Sequence, residues 1–180
     1  DRTTDTRVVV VQVGLVAEEA MPVVLLGDRI PCPVRALGIG EDDPRIERDS
    51  AAIAVERFFV GYDVGRAVNP MLVEGQIAGG AAQGIGAALL EEFVYDGSGQ
   101  PQSVTLADYL MPTINMMPRI ETTLVEGFPG AGPYGAKGAG EIACVPPMAA
   151  IANAIFNATG VRIYKLPLSP ENVLRGLKRA

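Results

Sequence analysis

The segment "YGAKGAGEIACVPP", Tyr134 to Pro147, sets one lysine and one glutamate among glycines. Gly135, Gly138 and Gly140 can adopt positive φ and leave the backbone bare. Successive N–H groups in such a loop can form a nest for an anion, to which Lys137 adds charge. Glu141 then stands between Gly140 and the apolar run "IACVPP". Apolar neighbours desolvate a carboxylate and raise its proton affinity, which suits a general base. The alternative is a glutamate that simply faces solvent at the start of the next helix. "GAKGAG" does not make a nucleotide phosphate loop, because no Ser or Thr follows the lysine and the glycine-to-lysine spacing is wrong.

A second constellation lies upstream, in "VEGQIAGGAAQGIGAALLEE". Gln76 and Gln83 are seven residues apart and so fall on nearly the same side of a helix. Gly79, Gly80, Gly84 and Gly86 lie inside that helix, and each costs about 1 kcal/mol relative to alanine. Two things can offset such costs: very close packing against another backbone, or close approach of a bulky ligand. The two amides offer donors and acceptors to a flat, polar ligand. "GIGAAL" lacks the third glycine of a dinucleotide-binding fingerprint.

Composition narrows the chemistry further. The chain has 180 residues, 48% hydrophobic and 20% charged, with a net charge of −6. It reads as a soluble globular protein able to bury roughly 70% of its unfolded surface. The acidic balance argues against nucleic acid and anionic membrane as partners. No apolar run reaches the ~18 to 20 residues needed to span a bilayer. Histidine is absent, which removes Ser-His-Asp and Cys-His nucleophilic arrangements. Cys32 and Cys144 are too few for a four-ligand zinc site and read as reduced thiols in a cytoplasmic protein. The chain opens at Asp1 without a signal-peptide layout, as expected of a processed chain or of part of something longer.

The elements that must position these groups are legible in outline. Residues 7–16 and 21–34 read as strands, the second running into a Pro-punctuated loop, and 40–50 as a charged connector. Residues 51–63 read as a strand. Residues 69–92 form a helix capped by Asn69, with Pro70 where a missing N–H does no harm. Ile77, Ala81, Ile85, Ala88 and Leu89 recur at helical spacing and face a core. Residues 95–100 form a turn and 120–125 a strand. Residues 146–160 form a helix with Met148, Ile151, Ala152, Ile155 and Phe156 on one face and Gly160 as its stop. Residues 169–180 form a last helix capped by Ser169. Strands and helices mix irregularly, which gives an α+β class. Residues 1–50 form an N-terminal part of strands and linker, distinct from the domain over 51–180.

"DVGRAVNPMLVEGQIAGGAAQGIGAALLEE", then "DYLMPT", "GPYGAKGAGE" and the tail "GVRIYKLPLSPENVLRGL" together resemble the molybdenum-binding large subunit of the xanthine dehydrogenase/aldehyde oxidase family. The resemblance runs from about Ala51 to Ala180 and not over residues 1–50. It implies the C-terminal portion of a molybdopterin-binding domain, in an oxidoreductase that hydroxylates an aldehyde or N-heteroaromatic carbon with oxygen from water. By this resemblance Glu141 is the active-site base, taking a proton from a metal-bound hydroxyl. Gln76 contacts the cofactor, with Gln83 as a second contact on the same helical face. The backbone from Lys137 through Gly138 and Ala139 to Gly140 lines the cofactor pocket. The metal is held through the pterin dithiolene, without side-chain ligands, in keeping with the absence of histidine. The implied cofactors are molybdopterin, in its cytosine dinucleotide form, with molybdenum here, and 2Fe-2S and FAD on partner modules. The implied partners are the rest of the molybdenum subunit and the iron–sulfur and FAD subunits; a homo-oligomer is also compatible, and the isolated chain is expected to self-associate. A different class of function stays open: a non-catalytic module that keeps the family fold for assembly or partner contact.

Overall fold

The computed structural model describes residues 10–13, 34–36, 51, 53–55, 57–126 and 129–178. The expectations for 14–33 and for the connector 40–50 lie outside these residues. So does Cys32.

Arg57–Asp63 (β4) is the central strand of a three-stranded sheet. It pairs in parallel with Val10–Val13 (β1) on one side and Arg119–Val125 (β5) on the other, with Phe58 opposite both Val10 and Ile120. Along β4, Phe58, Val60 and Tyr62 are buried while the residues between them are half-exposed, the period-two alternation of a strand with one face on a core. The single strand expected over 51–63 is divided. Ile53–Val55 (β3) pairs antiparallel with Val34–Ala36 (β2) in a separate two-stranded sheet, and β4 belongs to the parallel one. The division falls at the charged pair Glu56–Arg57, which interrupts the apolar run between Val55 and Phe58.

Between β4 and β5 the chain crosses through Pro70–Leu89 (α1), the helix a parallel pairing requires. Asn69 caps α1, its Oδ1 accepting from the N–H of Leu72 at 3.2 Å, with Pro70 in the first turn. Ile77, Ala81, Ile85 and Ala88 are buried as their spacing predicts; Leu89 is half-buried. The turn expected at 95–100 is present, closed by Asp96, whose Oδ1 accepts from the N–H groups of Ser98 and Gln100. Pro146–Thr159 (α2) packs beside α1 through Ile151, Ala154 and Ile155 and ends at Gly160 in left-handed conformation, φ 74. Pro170–Leu177 (α3) starts at the Ser169 cap and sends Val173 into the core. One core thus lies between β4 and the helices, and it fixes α1 against the end of β4 where the candidate site forms.

Candidate active site

The segment that follows β4 and the first half of α1 meet the glycine loop at an open cleft of about 320 Å³. Val64, Arg66, Asn69, Gln76, Lys137 and Gly140 are among the residues that line it. Gln76 Nε2 donates to the carbonyl oxygen of Gly140 at 2.8 Å. The helix amide and the glycine loop, 64 residues apart in sequence, are therefore one structural unit. Ala139 also lines the cleft, and Gly138 lies exposed between it and Lys137.

Gln83 is exposed further along α1 and is not part of the cleft lining. Glu141 follows Gly140 in the chain but is not itself among the lining residues. It is exposed rather than desolvated, and among the described residues its carboxylate has no hydrogen-bond partner. Among the described residues, the apolar enclosure read from "IACVPP" does not form around it. Ala143 is drawn into the core instead, while Ile142 stays partly exposed.

Lys137 does not offer its charge to the cleft. Its Nζ lies 2.9 Å from Oδ2 of Asp63, a carboxylate only 3% exposed at the end of β4. Oδ1 of Asp63 accepts from the N–H of Gly65 at 2.8 Å. Burial works to raise the Asp63 pKa. The hydrogen bond from Lys137, the Gly65 N–H and the ammonium charge outweigh it and hold the carboxyl below its ordinary 3.8. The lysine backbone is tied to the same place, its N–H donating to the carbonyl of Val64 at 2.9 Å. Arg66 also lines the cleft, and unlike Lys137 its guanidinium has no partner among the described residues.

The glycines have two explanations, divided by position. Gly65 has φ 61, and a Cβ there would meet the backbone of Gly135 and, at 3.1 Å, Cγ of Lys137. At Gly130 a Cβ would lie 2.7 Å from the same Cγ. These two positions leave the channel through which the lysine stem reaches Asp63. On α1, a Cβ at Gly80 would lie 2.9 Å from Cβ of Ala143, and one at Gly84 2.5 Å from the carbonyl of Cys144. Close packing against the segment 143–147 of this chain therefore accounts for them. Gly75, Gly79, Gly138 and Gly140 are different, since a Cβ at any of these would meet nothing within 4 Å. Of the loop glycines expected at positive φ, only Gly135 (φ 78) is so, next to Tyr134 (φ 58).

Sequence reading missed Tyr62, Asp63 and Arg66. The signal available was the end of "RFFVGYDVGR": an aspartate at a buried strand position, two residues before a glycine, with an arginine next. Tyr62 donates from its hydroxyl to the carbonyl of Ile142. No group of three or more Cys, Asp or Glu able to hold a metal occurs among the described residues. No helix in them is long and apolar enough to cross a membrane.

Residues 45–118 match the family model of the molybdopterin cofactor-binding domain. The chain is 40% identical over 141 residues to the gamma subunit of the 6-hydroxypseudooxynicotine dehydrogenase complex of Paenarthrobacter nicotinovorans, covering 75% of this chain and 18% of that protein. It is 42% identical over 122 residues to an Escherichia coli xanthine dehydrogenase molybdenum-binding subunit, covering 67% of this chain and 16% of that one. The fold superposes on quinoline 2-oxidoreductase from Pseudomonas putida 86 with a TM-score of 0.68 and 40% identity, over 74% of this chain and 17% of that one. The chain thus spans less than a fifth of the length of these relatives. Its mixed helices and small parallel sheet, with a matching cofactor-binding region, belong to part of a molybdenum-binding subunit of the xanthine dehydrogenase/aldehyde oxidoreductase family.

Proposed function

We propose that this chain contributes the base and one wall of the cofactor site of a molybdenum hydroxylase. The observation that carries the reading is the bond between Gln76 and Gly140, two residues of the cleft lining, with Glu141 next in the chain and with bare backbone at Gly140 in that lining and at Gly75, Gly79 and Gly138 near it in sequence. Such backbone admits a large flat group without steric cost. The donor set fits a molybdopterin that brings its own metal ligands, because the walls supply amides and N–H groups instead of thiolates or imidazoles. When bound, that cofactor supplies the oxygen-transfer and two-electron chemistry.

The chain's own residues would act as follows. Gln76 keeps its amide carbonyl for the pterin while its N–H₂ holds the loop. Lys137, Gly138, Ala139 and Gly140 present backbone along one edge, and Gln83 meets a more distant part of the group. Arg66, rather than the neutralised Lys137, faces an anionic portion of it such as a phosphate. Glu141 takes up a proton at its carboxylate as the water-derived oxygen is activated, and gives it up to solvent afterwards. The rest of the molybdenum subunit would cover Glu141 and create the desolvated setting a base needs. We assign an aldehyde or N-heteroaromatic substrate, a cytosine dinucleotide form of the pterin, 2Fe-2S and FAD on partner subunits, and residues 51–180 as the cofactor-binding unit.

The exposure of Glu141 in this chain is the observation that favours the other reading, a non-catalytic module used for assembly. Replacing Glu141 by Gln in the complete complex separates the two. Loss of turnover with molybdenum retained supports catalysis, and near-normal turnover with molybdenum retained supports the assembly module.

A further inference from the structure

We propose that Tyr62 and Asp63, the last two residues of β4, are positioning residues that fix where Glu141 stands. The inference rests on the catalytic reading of Glu141. The Glu141 carboxylate has no hydrogen-bond partner among the described residues, and the Glu141 carbonyl accepts only from Cys144, its N–H at 3.1 Å and its thiol at 2.9 Å, so its place is set by its neighbours. On one side, Tyr62 donates its hydroxyl to the carbonyl of Ile142. On the other, Gln76 holds the carbonyl of Gly140 at 2.8 Å. Four residues earlier in the chain, Asp63 anchors Lys137 at 2.9 Å, and the Lys137 N–H is bonded to the carbonyl of Val64.

The carbonyls of the residues on either side of Glu141 are therefore tied from β4 and from α1, and the stem of the loop is tied to β4 again. β4 is the central strand of its sheet, and both Tyr62 and Asp63 are buried in it. A rigid strand end thus sets the height of the loop, and α1 sets its lateral position. Such a tether has a use beyond folding. Gly138 and Gly140 have no side chains against which the loop could pack, and an untethered glycine segment samples many conformations. A general base must stay within hydrogen-bond reach of the proton it takes, and a displacement of about 1 Å can cost on the order of 100-fold in rate.

Tyr62→Phe and Asp63→Asn, each made in the complete molybdenum complex, test this. Tyr62→Phe removes one hydroxyl and keeps the ring in the core; Asp63→Asn keeps shape while losing the charge that draws Lys137. Both variants are expected to retain molybdenum and pterin. Their kcat should fall roughly 10- to 100-fold with KM nearly unchanged. Hydrogen exchange of the 138–144 amides should accelerate in each while β1, β5 and α2 keep wild-type protection. Unchanged kcat together with unchanged exchange in Tyr62→Phe would overturn the proposal, as would exchange that rises throughout the subunit. Glu141→Gln serves as the reference. If that variant turns over normally, the catalytic reading itself fails. If it is inactive while Tyr62→Phe and Asp63→Asn keep wild-type kcat, only the positioning role fails.

Discussion

Gln76 and Gly140 are joined by a 2.8 Å hydrogen bond that closes α1 onto the glycine loop. The amide nitrogen donates and the backbone carbonyl accepts, so a glutamate at position 76 could not make the bond in its ionised form. A Gln76→Glu variant is expected to lose at least about fivefold in molybdenum occupancy, the equivalent of one hydrogen bond of ~1 kcal/mol. The matching change at Gln83, which touches neither loop nor cleft, should lose less. Metal analysis of the purified complexes checks the order of the two.

The glycines of α1 should answer oppositely to the same substitution. Gly84→Ala drives a Cβ to within 2.5 Å of the Cys144 carbonyl and is expected to destabilise the subunit by about 1–3 kcal/mol. Gly79→Ala meets no atom of this chain and should leave the fold intact, with a gain of up to ~1 kcal/mol from helix propensity. Its cost should appear instead in cofactor content. Thermal unfolding and molybdenum analysis of both variants separate the two effects.

Breaking the ion pair from the lysine side should be severe. Lys137→Met leaves Asp63 buried and charged without its cation, at a cost of about 3–5 kcal/mol. Denaturant unfolding of the assembled protein measures it. Lys137→Arg keeps the charge and should recover part of the loss.

The same pair sets an acid limit. Asp63 has a folded pKa below its ordinary 3.8, so the unfolded chain binds the proton more tightly. The stabilisation is fully present above the unfolded value and is lost as pH falls through the folded one. Between neutral pH and about pH 5 this carboxylate should contribute no slope to the stability. Below 3.8 the wild-type protein should lose stability more steeply than Asp63→Asn, as followed by thermal melts across an acid series.

Much of the fold was legible because its cues are local. Asn69–Pro70 opens α1, Gly160 ends α2 and Ser169 opens α3, each through backbone groups within a few residues of the signal. The core side of α1 followed from the spacing of Ile77, Ala81, Ile85 and Ala88. The pairing of the loop with α1 followed only in part: the glycine pattern marked both pieces, but neither shows which glycines meet this chain and which meet open space. Lys137 was misleading for a physical reason. A lysine in a glycine loop looks like an anion-binding cation until the buried carboxylate 74 residues earlier is brought beside it. Glu141 was legible as a residue of interest, whereas its exposure was not, because only Ala143 and Pro147 of "IACVPP" are buried while Ile142 and Val145 stay exposed.

The most direct measurement is an experimental structure of the native molybdenum complex with its cofactor bound. The expected result places the pterin against the bare backbone of Gly75, Gly79, Gly138 and Gly140, with the Glu141 carboxylate enclosed and facing the metal. A cofactor lodged away from this cleft, with Glu141 still pointing into bulk water, would contradict it.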